Sequence, residues 1–133
     1  MILVPLFASI LPFLLWPVEL LLPYPHIIEE LAKAALVWFI LKSPSNSQRI
    51  QVALICGILF ALSESTLYIF NLTLVGTTQT LITRLATTLP MHTLTILIIL
   101  LSALKTKKLI VLGFLAAVLI HFSYNLAVLN LLK

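Results

Sequence analysis

The fold class predicted by the sequence is all-α: a polytopic transmembrane bundle of about five spans. Three observations predict it. Of 133 residues, 62% are hydrophobic and 9% charged, and the mean hydropathy is +1.20, far more apolar surface than a soluble domain of this size needs. The apolar residues fall into runs of helical length separated by short polar connectors, and lipid admits only helices or closed barrels. The Lys and Arg residues gather in alternate connectors, the pattern that sets membrane orientation.

The first segment runs from about Ile2 to Leu22. Pro5, Pro12 and Pro17 predict a kinked or irregular helix. It is read as a retained helix rather than a signal peptide, because Met1 is followed by no basic stretch and no small-residue cleavage site follows Leu20. Glu19 is expected at the interface. The second segment, about His26 to Leu41, follows the Pro23-Tyr24-Pro25 turn. It is short for a span, which takes about 20 helical residues, so its start is expected below the membrane surface in a protein-lined cavity. The third runs from about Ile50 to Leu72, the fourth from about Thr80 to Ala103 and the fifth from about Leu109 to Leu132. The polar connectors are Ser43 to Arg49, Thr73 to Gln79 and Lys105 to Lys108.

No repeat or low-complexity stretch divides the chain, so residues 1–133 are expected to form one transmembrane domain. The net charge of +4 comes from eight Lys/Arg against four acidic residues. Their concentration in two connectors marks them as topology determinants, not as a nucleic-acid surface, and predicts a cytoplasmic N-terminus with the C-terminus outside. Cys56 is the single cysteine and sits in an apolar run, where it reads as a small core residue. The Asn71-Leu72-Thr73 sequon is too short a motif to carry weight.

Ionisable residues inside membrane segments are expensive, and they mark functional sites by default. Glu30 lies 12 residues from Lys42, Glu64 15 from Arg49, His92 13 from Lys105, and His121 13 from Lys108. At about 1.5 Å per residue these offsets become roughly 18 to 22 Å from one basic membrane face. Four helices therefore bring acids and imidazoles to a common depth.

In Glu29-Glu30-Leu31-Ala32-Lys33, helical spacing lets Lys33 pair with one carboxylate. Adjacent carboxylates do not both ionise cheaply in a low-dielectric site, which suits one of them to acid–base work. The bland alternative is an acidic helix cap with Lys33 snorkelling outward, yet Lys33 lies deeper than the glutamates. Glu64, well into its span, must face the interior or water, and Tyr68 one turn on is placed to hydrogen-bond it. The competing reading is a protonated structural carboxyl. Pro90 removes a helix hydrogen bond to Ala86 beside His92; a lone membrane histidine otherwise serves helix packing. His121 and Asn125 stand at i and i+4 on one face. They suit donation to a developing oxyanion, or a metal ligand with its neighbour, or plain helix packing. His26, beside Pro25, is read as interfacial without a catalytic role. Arg84, near the outer end of its helix, is placed to meet a carboxylate or a lipid phosphate.

The series EExxK, a glutamate with Tyr at +4, RxxxxxxxHxxT and HxxxN resembles the PrsW-type intramembrane proteases, from Glu29 to Asn125. These are relatives of the CAAX prenyl-protease and bacteriocin-processing superfamily, which carries EExxxR, an isolated His and HxxxN. Lys33 stands where that wider group has Arg one residue later, which favours the PrsW branch. The resemblance implies an intramembrane endopeptidase of a prokaryotic plasma membrane. It assigns catalysis to Glu29, Glu30, Glu64, His92, His121 and Asn125, with Lys33, Tyr68 and Arg84 in support. One of Glu29 and Glu30 would activate water with His92, and His121 with Asn125 would form the oxyanion hole. A glutamate-type reaction without cofactor is expected; zinc is the alternative, held by Glu64, His92 and His121. The implied partners are a membrane protein or peptide substrate and the bilayer, with no nucleic acid, and an oligomer is compatible with the short chain. Two rivals compete: a proton or cation carrier using the Glu/His layer, opposed by the lack of an inverted repeat, and an inactive membrane scaffold.

Overall fold

Helix α1 spans Leu3–Glu19, α2 Pro25–Ile40, α3 Asn46–Leu72, α4 Thr78–Lys105 and α5 Ile110–Leu131, with a 3₁₀ turn at Lys107–Leu109 between the last two. The computed structural model describes residues 3–72 and 77–131, with side chains over 3–70 and 77–128. Among them there is no strand. Ile2, Leu132, most of the Thr73–Gln79 connector and the side chains of the Asn71-Leu72-Thr73 sequon lie outside the described residues.

Three stretches are long and apolar enough to cross a membrane: Asn46–Phe70, Thr78–Lys105 and Lys107–Val128. At 17 residues α1 is shorter but equally apolar, and α2 has 16 residues and carries Glu29, Glu30 and Lys33. Several boundaries differ from expectation, the first helix ending at Glu19 and not near Leu22. The third helix starts at Asn46, four residues before Ile50, because the connector after Pro44 is polar but helix-compatible. The fourth starts at Thr78, where the Thr77 hydroxyl caps the Thr80 N–H at 3.2 Å. Both α1, with Pro12 and Pro17, and α4, with Pro90, run as continuous helices. Pro25 occupies the first turn of α2, where its missing N–H costs nothing.

Helix α2 is the pivot, since it packs against α1, α3, α4 and α5, while α3 and α5 each also pack on α4. Close approach is set by small residues, as membrane interfaces require. A Cβ on Gly57 would stand 2.7 Å from the Thr93 Cα, and one on Gly113 2.8 Å from the Ser102 Cβ and 3.0 Å from the Ile99 Cα. The apolar core lies toward the basic membrane face: Val37 and Ile40 of α2 meet Ala53 and Cys56 of α3 and Ile96, Ile99 and Leu100 of α4. Cys56 is thus the small core residue expected. Outward-facing Trp38, Phe39, Phe70, Leu112 and Leu119 remain exposed, the surface that hydrocarbon covers in an integral membrane protein.

Candidate active site

One to two turns beyond that core, the bundle interior turns polar. His26, Glu29, Glu30 and Lys33 from α2, Thr88, His92 and Thr95 from α4, and His121 from α5 are all buried. The i, i+3, i+4, i+7 spacing of the α2 residues puts all four on the one face that α4 and α5 cover.

Glu30 is the hub. Its Oε1 accepts from Lys33 Nζ at 2.5 Å and from His121 Nδ1–H at 2.8 Å. Lys33 also donates to Thr95 Oγ1 at 3.0 Å and lies 5.0 Å from the centre of the Phe60 ring. Lys33 is fully buried, so it points inward rather than snorkelling. With Glu30 so held, Glu29 is the less encumbered acid: its nearest ionic neighbour is His121 Nε2 at 3.9 Å.

His92 pairs through Nε2 with the Glu64 carboxylate, and its ring stacks 5.0 Å from Phe60 and edge-on 5.2 Å from His121. Glu64 is 3.9 Å from the Arg84 guanidinium, which lies over the Tyr68 ring at 3.7 Å. Tyr68 is therefore a platform for Arg84 and not the hydrogen-bond partner expected for Glu64. Arg84 meets a carboxylate of its own chain, completing a run Tyr68–Arg84–Glu64–His92. Asn125, one turn beyond His121, is half-buried, and its carboxamide makes no hydrogen bond to another described residue.

Each imidazole thus places one nitrogen on a carboxylate, His121 Nδ1 on Glu30 and His92 Nε2 on Glu64. That fixes ring orientation and leaves the opposite nitrogen for other use. Buried Glu29 Oε2, Glu30 Oε2 and His92 Nδ1 have no hydrogen-bond partner among the described residues, and Glu64 Oε2 and His92 Nε2 meet as an ion pair without a hydrogen bond. Glu29, His92 and His121 each offer one donor atom, and these atoms lie within 4.8 Å of one another. Two imidazoles and one carboxylate, each imidazole backed by its own carboxylate, are a donor set that fits a catalytic zinc ion. Glu64, named with His92 and His121 in the zinc alternative, is not one of these three and lies instead against His92.

Sequence reasoning passed over two contributors. His26 is buried, its ring 6.0 Å from that of His121 and 5.5 Å from that of Phe122, so it lines the site. Its place one turn before Glu29 was the available signal. Tyr124 closes the α4–α5 seam, its hydroxyl 3.0 Å from Thr87 Oγ1 and 2.8 Å from Thr88 Oγ1. A separate cavity of about 560 Å³ between α1 and α2 is lined by apolar residues and Lys42 and includes no member of this cluster.

The family model described as PrsW family intramembrane metalloprotease matches residues 24–133. That span takes in α2 to α5 and every residue of the cluster. No curated protein and no solved structure matches the chain.

Proposed function

The chain belongs to the PrsW family of intramembrane proteases, and we propose that it hydrolyses a peptide bond in or near a membrane segment at the Glu29–Glu30–His92–His121 cluster. The observation that carries this reading is the convergence of acids and imidazoles from three helices in one buried layer, with Glu29 Oε2 and His92 Nδ1 without a hydrogen-bond partner among the described residues. Hydrolysis needs a group to take a proton from water, a group to return one to the leaving amine, and donors for the oxyanion. A structural polar cluster would be expected to satisfy its own atoms.

Glu29 is the proton acceptor in this scheme, since Glu30 is bound by Lys33 and His121. Glu30 keeps His121 in one orientation, and Lys33 balances its charge. Glu64, steadied by Arg84, holds His92 beside Glu29, where His92 assists proton transfer. The attacking oxygen adds to the scissile carbonyl, and His121 with the Asn125 carboxamide stabilises the oxyanion, the role that HxxxN has in the wider CAAX-protease superfamily. The proton then passes to the departing amine.

A second reading, metal-assisted, is favoured by one specific observation: one donor atom from each of Glu29, His92 and His121 lies within 4.8 Å of the other two. Glu29, His92 and His121 would hold a divalent ion such as zinc. When bound, such an ion makes water more acidic and polarises a carbonyl. In that case Glu30 and Glu64 act as the carboxylates that orient the two histidines.

The test is cleavage of a panel of single-span substrates in proteoliposomes. Glu29→Ala, Glu30→Ala, His92→Ala and His121→Ala should each lower the rate by about 10² or more. If all four variants cut normally, the cluster is not the catalytic site. Exhaustive chelation followed by zinc addition separates the two readings. Activity that survives chelation is the glutamate-type outcome; activity lost and then restored by zinc is the metal-assisted one. We further place the Lys42, Arg49, Lys105 and Lys108 face at the cytoplasm of a prokaryotic plasma membrane, N-terminus inside.

A further inference from the structure

Away from the active site, a cavity of about 320 Å³ opens at the basic membrane face, between the start of α3 and the end of α4. Arg49, Lys105 and Lys107 line it, with Leu41 and Leu104 at its apolar side. We propose that this cavity binds the phosphate group of an anionic phospholipid.

The positive-inside pattern requires only that cations occupy this membrane face; it does not require three of them to converge on one concavity. Their mutual repulsion favours a bound anion, and among the described residues none is supplied. The sequence contains four acidic residues, Glu19, Glu29, Glu30 and Glu64. Glu29, Glu30 and Glu64 belong to the active-site layer, and Glu19 ends α1, the helix whose N-terminal turn lies nearer Lys42. Among the described residues no carboxylate pairs with Arg49, Lys105 or Lys107.

Arg49 is held in place by local bonds. Its Nε donates to the Ser43 carbonyl at 2.9 Å and Nη1 to Asn46 Oδ1 at 2.8 Å. The guanidinium is thereby preorganised, and its Nη2 makes no hydrogen bond to a described residue. A basic pocket between helix ends at the membrane surface, with leucines on one side, matches a phospholipid in both charge and depth: phosphate against the cations, glycerol and acyl roots against Leu41 and Leu104. A free phosphate would use only the polar half. The site is independent of the protease reading, since it touches no residue of that cluster.

The test uses the purified full-length protein in detergent, with thermal unfolding followed by tryptophan fluorescence. Short-chain phosphatidylglycerol should raise the unfolding temperature saturably, while phosphatidylcholine and inorganic phosphate should not. In Lys105→Gln/Lys107→Gln the half-saturating lipid concentration should rise about thirtyfold, as expected for losing two surface cations. Lys108→Gln, outside the cavity lining, should leave it near the wild-type value. Circular dichroism confirms that the variants are folded, and raising salt on the wild type must weaken the lipid response in the same direction. Equal responses to the two lipids, a double variant that saturates like the wild type, or a full response to inorganic phosphate would each overturn the proposal.

Discussion

Lys33 and Glu30 are both fully buried and stand 2.5 Å apart, so each is the other's reason for being there. Lys33→Met strands a carboxylate in the bundle and should lower stability by about 3–5 kcal/mol, measured by chemical denaturation in detergent. Lys33→Met combined with Glu30→Gln should recover most of that loss while remaining inactive, because the orienting bond to His121 Nδ1 is still weakened. A double variant as unstable as the single one would show that the pair is not the unit. In the proposed scheme Glu64 acts through His92, against which its carboxylate lies. Glu64→Gln should therefore reduce cleavage by about 10–100-fold with little change in unfolding temperature. Arg84→Gln should do less, being only 3.9 Å from Glu64 and partly exposed.

Helix seams depend on two devices at the next scale. The α3–α4 seam closes only because Gly57 lacks a Cβ, which would stand 2.7 Å from the Thr93 Cα, a backbone atom that cannot yield alone. Gly57→Val should cost about 1–3 kcal/mol through overpacking, read as a lowered unfolding temperature. Activity should fall as well, since Phe60 and Glu64 ride on the same helix as Gly57, with Phe60 and Glu64 flanking His92. The α4–α5 seam is clasped by the Tyr124 hydroxyl on Thr87 and Thr88. Tyr124→Phe removes both bonds and should cost about 1 kcal/mol, given the modest worth of interhelical hydrogen bonds in bilayers. A loss of stability without any change in cleavage per folded molecule is the expected split.

Across the whole molecule, charge is segregated in layers: cations at one membrane face, an apolar core above it, and the Glu–His–Lys layer beyond. The proposed orientation rests on the first layer. In a Cys56→Ala background, a cysteine placed at Ser45 should react with impermeant reagents only from the cytoplasmic side of inverted vesicles. Labelling from the opposite side would reverse the placement. Because α2 is the helix packed against all four others, its acidic face has nowhere to go but inward.

The class and the depth of the site were legible in the chain itself. Apolar runs of helical length dictate helices in lipid, and equal residue offsets from the basic connectors predict that Glu30, Glu64, His92 and His121 share one plane, because helix rise is constant. The motif order from Glu29 to Asn125 also indicated the family. Helix rotation and side-chain partnership were not legible, since rise per residue says nothing about which atoms meet across a seam. Packing alone decided that Glu30 and not Glu29 takes Lys33 and His121, and that Glu64 belongs to His92 while Tyr68 carries Arg84. It also drew His26 inward beside His121, with Glu29 completing the His92–His121 donor set. The physical reason is that one-dimensional spacing determines depth, whereas pairing depends on the azimuth of each helix, which only the packed bundle sets.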